Sequence, residues 1–187
     1  MKKIVSIGIL YCIIFMSVNF GSPTSASAAG TCLTDKTGLT EFNDLGNVDV
    51  VARLIYSEAM GESLNGKRAV YYVVSNRVSK NLPVFGGGSY KSVVLKPGEF
   101  QGMTTQFARC PDTSSQAWKD SLSIANNPGS NPIGKTLWFN TNATYKSRAI
   151  NISTSTESYT FNNGQSYSKV VEKVVLGKHT FFRVSPY

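Results

Sequence analysis

A chain of 187 residues, 41% hydrophobic and 16% charged, has the size of one domain with a substantial core. Its net charge of +8 suits an anionic polymer as partner, but there is no dense Lys/Arg run and no basic–aromatic interleaving, so nucleic acid is not expected. A single His and scattered cysteines exclude neither chemistry outright, yet they make a zinc site or a Cys–His nucleophile a poor reading, and no metal or cofactor is expected.

Residues 1–28 read as a signal peptide. Lys2 and Lys3 form a positive start, 4–20 is apolar, and Ala26-Ser27-Ala28 is an A-x-A cleavage site. The expected protein is secreted, to the cell wall or a spore envelope, with no stable membrane anchor after cleavage. Residues 29–46, rich in Thr, Asp and Gly, read as a polar N-terminal arm. Export permits a disulfide between Cys32 and Cys110; two free thiols are the alternative, and the sequence leaves both open.

Over 47–187 the expected class is α+β: mostly helical, with a small β-sheet or hairpin toward the C-terminus. Val50, Val51, Leu54 and Ile55 recur at helical spacing. Asn47 is the expected N-cap, Asp49 suits the first turn, and Gly61 is the expected stop. Val50, Leu54 and Glu58 fall at i, i+4 and i+8, so Glu58 lies on the apolar face, in the last turn. Burial and the helix dipole both push such a carboxyl toward its protonated form, which is what a general acid needs. The competing reading is a frayed helix end facing water.

A second helix is predicted over 64–78 with Ala69, Val70, Val73 and Val74 inside. Asn76 and Arg77 near its end are candidates for a cleft, or for a cap and a surface ion pair. Residues 82–88, with Pro83 and three glycines, read as a flexible loop or lid. Ser92 to Leu95 reads as a helical turn or strand. Phe100 and Gln101, on the turn after Pro97-Gly98, are candidates for a sugar platform. A third helix is predicted over 113–125, capped by Thr113 or Ser114, with Ala117, Trp118, Leu122 and Ala125 inside. Residues 135–140 read as a strand bearing Trp138, Phe139 and Asn140. The stretch 141–168 is rich in Asn, Ser and Thr, with short strands at 149–153 and 159–161. Residues 170–176 and 179–184 around Gly177-Lys178 read as a closing hairpin.

These segments carry a resemblance. LIYSEAMGESLNGKRAVYYVVSNRV resembles the E-A-R-G-E, G-x-x-A-V and N-R-V signature of the SleB/CwlJ-type cell wall hydrolases, the spore-cortex-lytic enzymes and their relatives. KPGEFQGM, LWFN and GKHTFF resemble the family's later segments in the same order. The likeness runs from about Val48 to Arg183. Met60 stands where the family usually has Arg, and 141–176 looks longer than the family norm. The peptidoglycan-binding domain that often precedes the catalytic domain is not expected here.

The resemblance implies a core similar to that of lysozyme and the lytic transglycosylases. It implies cleavage of the β-1,4 bond between N-acetylmuramic acid and N-acetylglucosamine, on peptidoglycan glycan strands. The sequence carries no sign of oligomer formation, and a monomer is the default expectation. Glu58 matches the catalytic glutamate and Glu62 the second acid of the motif. Glu62, Asn76, Phe100, Gln101, Asn140 and His179 are the expected substrate-binding residues. A wall-binding module without activity, or an amidase or peptidase acting on the stem peptide, is the alternative.

Overall fold

A computed structural model describes residues 28–153 and 156–187. All but the last residue of the expected leader lies outside the described residues. Among those described, no helix is long and apolar enough to cross a membrane.

The architecture is α+β. Helices α1 (Asn47–Ala59) and α2 (Leu64–Lys80) come first, followed by α3 (Tyr90–Val94), α4 (Gln106–Arg109) and α5 (Gln116–Asn126). Strand β1 (Trp138–Thr141) leads into α6 (Asn142–Arg148). Four strands close the chain: β2 (Ala149–Ser153), β3 (Thr156–Tyr159), β4 (Ser168–Leu176) and β5 (His179–Val184). They form one antiparallel sheet in the order β1-β5-β4-β3-β2, which leaves β1 on an edge.

The pleat decides what each sheet face covers. Phe181, with Phe139 opposite it and Val174 beside it, joins the main core under α1, α2 and α3. Phe182 and Val184 point the other way, into a second cluster with Tyr145 of α6 and Tyr159 of β3. A third cluster is small: Ala52 and Tyr56 of α1 against Trp118 of α5.

Several local expectations need correction. The N-cap of α1 is Gly46 and offers no side-chain cap; Asn47 is already helical. Asp49 is buried and accepts from Arg53 Nε at 2.9 Å and from the Gly30 amide at 3.1 Å. The helix ends at Ala59 with Met60 as its C-cap, so Gly61 lies one residue beyond the cap. Helix α2 runs to Lys80 behind a Ser63 cap, and its four predicted core residues are fully buried. Helix α5 starts later than expected, because Ser115, and not Thr113 or Ser114, accepts from the Trp118 amide. Its inward stripe is Trp118, Ser121 and Ile124, flanked by half-buried Ala117, Leu122 and Ala125.

The arm at 29–46 is not merely polar: Leu39, Phe42 and Leu45 enter the main core around a 3-10 turn at Thr37–Phe42. The glycine-rich segment is not a lid. Its 3-10 turn, Pro83–Phe85, buries Phe85 against Arg77, Trp138 and Tyr187. Gly86, at φ +100, lies so close to the Ser92 carbonyl that a Cβ has no room. Helix α6 was not expected at all, and β3 sits three residues earlier than predicted. The hairpin of β4 and β5 stands where the sequence put it.

Candidate active site

Glu58 sits in the last turn of α1, half-buried, at the wall of a cleft of about 480 Å³. The 3-10 turn Gln101–Thr104 crosses the end of α1 there, and the Gly102 amide donates to Glu58 Oε1 at 2.7 Å. Burial pushes the Glu58 carboxyl above the usual carboxylate range; the Gly102 N–H pulls the other way, with smaller effect. A half-buried acid held by one backbone amide keeps its proton into milder pH than an exposed one, yet faces open space where a substrate atom fits.

The cleft floor is built on α2 and the turn before Gln101. Arg77 is almost fully buried, so it is not the surface residue that one sequence reading allowed. Its Nε donates to the Leu137 carbonyl at 2.7 Å and its Nη1 to Glu99 Oε2 at 2.9 Å. The guanidinium also lies 5.0 Å from the Phe100 ring and 5.2 Å from that of Phe85. Burial lowers the Arg77 pKa, while the Glu99 carboxylate opposes the shift. Glu99 is bonded a second time, by Lys96 Nζ at 3.0 Å. The second acid of the cleft is thus held between two cations, while Glu58 is held by an amide alone.

The opposite wall is the free edge of β1, where side chains of both sheet faces reach the cleft: Trp138, Phe139, Asn140 and Thr141. Phe139 stacks on Phe100 with centroids 6.4 Å apart. Asn140 Nδ2 donates to the Tyr159 hydroxyl at 2.7 Å. His179, on β5 opposite Thr141, lies edge-on to Phe139 at 5.5 Å. Burial pushes the His179 pKa down, Glu62 opposes this and Lys178 adds to it, so the ring is neutral near pH 7.

The cleft brings together Glu58, Phe100, Gln101, Asn140 and His179 of the expected site. It does not include Glu62 or Asn76. Glu62 lies over the hairpin turn, with Oε2 3.4 Å from the Lys178 amide and Oε1 3.7 Å from His179 Nδ1. Asn76 donates to the Gly134 and Thr136 carbonyls, both at 2.9 Å, and so fixes the loop entering β1. Phe100 is buried, at 5% exposure, and so offers the cleft little surface for a sugar to stack on.

Thr144, Arg148, Tyr159 and Phe161 also line the cleft, and the sequence reading missed them all. They come from the low-complexity stretch, where Thr144 and Arg148 stand four apart on one face of α6. That i, i+4 spacing was the available signal. A hollow of about 500 Å³ lies behind α6, and its one acid, Glu157, is bonded to Lys173. Cys32 and Cys110 are joined in a disulfide.

Among solved structures, the chain is similar to the catalytic domain of the germination-specific lytic transglycosylase SleB from Bacillus anthracis. Identity is 21% over 73% of this chain and 93% of that one, with a TM-score of 0.47. The catalytic domain of the Bacillus cereus SleB protein gives 21% identity over 73% of this chain and 89% of that one, with a TM-score of 0.46. No curated protein matches significantly. The profile of the family described as Cell Wall Hydrolase matches residues 61–182, beginning three residues after Glu58 and taking in α2, the turn of Phe100 and the sheet except the end of β5. With more than half of its length inside that match, the chain belongs to the cell wall hydrolase family and is a peptidoglycan-degrading enzyme.

Proposed function

We propose that this enzyme cleaves the β-1,4 bond between N-acetylmuramic acid and N-acetylglucosamine as a lytic transglycosylase, with Glu58 as its one acid and base. The observation that carries this reading is the contrast between the two cleft carboxyls. Burial favours the protonated form of Glu58, while Glu99 is bridged by Arg77 and Lys96.

In this mechanism the Glu58 carboxyl gives its proton to the glycosidic oxygen as the C1–O bond breaks through an oxocarbenium-like transition state. The resulting Glu58 carboxylate takes the proton of the muramyl 6-hydroxyl. O6 then bonds to C1, giving a 1,6-anhydro end without a water molecule. The nucleophile belongs to the substrate, so one carboxyl suffices. A hydrolytic muramidase instead needs a second free carboxylate about 5–9 Å from the first. Glu99, committed to two cations, is a poor base for that task.

The test is mass spectrometry of the soluble products from purified peptidoglycan, wild type beside Glu58→Gln. Anhydromuramyl ends from the wild type are expected, with a loss of about 10²-fold or more in the variant. Hydrated reducing ends would replace this reading with hydrolysis. Full activity in a folded Glu58→Gln protein would remove Glu58 from the chemistry.

A further inference from the structure

Arg148 is the cation in the cleft that has no carboxylate. Arg53, Arg77, Arg109 and Arg183 each make an ion pair with an acid. Arg148 makes none among the described residues, and the undescribed ones contain no Asp or Glu. It stands half-buried at the end of α6, and its guanidinium lies beside the Tyr159 hydroxyl. Tyr159 is fully buried and already accepts from Asn140, so this neighbour is fixed and uncharged. A guanidinium presents five N–H donors in a planar fork, and one hydroxyl leaves most of them open.

The other charges of the cleft are spoken for. Arg77, Glu99 and Lys96 satisfy one another, and His179 is neutral near pH 7. Arg148 therefore sets the sign of the wall facing Glu58. We propose that Arg148 is a subsite for a carboxylate carried by the substrate, so that the enzyme discriminates between muramyl units with a free acidic group and units in which that group is capped. This rests on the cleft being the peptidoglycan site. Two sources supply the chemistry: the lactyl carboxylate of a muramyl unit stripped of its peptide, and the carboxylates of an attached stem peptide. A muramyl unit closed into a lactam offers neither.

The experiment measures the affinity of soluble glycan strands for the Glu58→Gln protein, which leaves them intact. Four strands are compared: peptide-bearing, peptide-bearing with its carboxylates amidated, peptide-free with free lactyl groups, and peptide-free with those groups converted to the methyl amide. Capping is expected to weaken binding about tenfold, the scale of a charge-assisted bidentate contact. The pair of strands that shows the loss identifies the source. Adding Arg148→Gln should bring all four strands to the capped level, and Arg148→Lys should keep part of the preference. Equal binding of capped and uncapped strands, a preference that survives Arg148→Gln, or no binding of any strand overturns the subsite. Failure of the transglycosylase reading would appear elsewhere, as wild-type products without anhydromuramyl ends, and would leave the affinity comparison intact.

Discussion

Gly102 is the residue on which the position of Glu58 depends. A Cβ there would stand 2.6 Å from Ser57 Oγ and 2.8 Å from Glu58 Oε1, closer than real Cβ contacts allow. The absence of a side chain lets the amide reach the carboxyl. Gly102→Ala should therefore push the carboxyl off its bond and cost about 10²-fold in kcat, as a displacement of about 1 Å can. Thermal melting should show the fold retained. Glu58 itself should reveal its burial in stability. Its folded-state pKa is raised, so its contribution is complete below the unfolded pKa and is lost as pH rises through the folded value. Gln does not titrate. The melting temperature of Glu58→Gln should thus gain on that of the wild type as pH rises above about 4, the unfolded value, until the folded carboxyl has ionised. A constant difference across that range would mean that the carboxyl is not desolvated. The activity of the wild type should fall over the same rise, as the general acid loses its proton.

At the scale of elements, what was legible had a strong period behind it. The inward placement of Glu58 was legible because Val50 and Leu54 fix which face of α1 is buried. The stripe of α2 and the closing hairpin were found for the same reason. Helix boundaries were missed where a cap competes with its neighbours, as with Ser115 after Thr113 and Ser114. Helix α6 was missed because its one large ring, Tyr145, makes no apolar period; Tyr145 packs on Tyr159 and Phe182, and Asn142 bonds to the Gly177 carbonyl and the Thr180 hydroxyl. One wall of the cleft was therefore invisible. Arg77 was visible as a residue but not as a joint. It ties α2 to the strand entry at Leu137 and to the turn at Glu99, and it packs between two rings. Arg77→Met should cost about 3–5 kcal/mol in chemical denaturation, because it leaves buried acceptors without a donor. The same change frees Glu99 from one of its two cations. If Glu99 then serves as a base, a fraction of hydrated ends should appear among the products.

Over the whole molecule, one seam is closed twice. The disulfide joins Cys32 to Cys110 across 78 residues of sequence. Beside it, fully buried Arg53 donates to the Thr31 carbonyl at 2.7 Å, the Ala108 carbonyl at 2.7 Å and the Arg109 carbonyl at 3.0 Å. Asp49 holds the guanidinium in place from one turn earlier. The Leu33 amide closes on the Arg109 carbonyl at 2.9 Å. Both devices bind the N-terminal segment to α4, and they differ in where they act. A cross-link over a loop of this length stabilises by about 4 kcal/mol, mainly by restricting the unfolded chain. Arg53 acts in the folded state, where its loss would take a donor from three carbonyls and the cation from buried Asp49. Cys32→Ser with Cys110→Ser should lower stability by about 2–4 kcal/mol and leave activity at low temperature near normal, since neither cysteine lines the cleft. Arg53→Met should cost more, about 3–5 kcal/mol. Combined, the two changes should fall short of their sum, because once the seam is open the second fastening has less to hold. A double-mutant cycle by denaturant melts measures that shortfall. Strict additivity would mean that the disulfide and Arg53 stabilise separate parts of the protein.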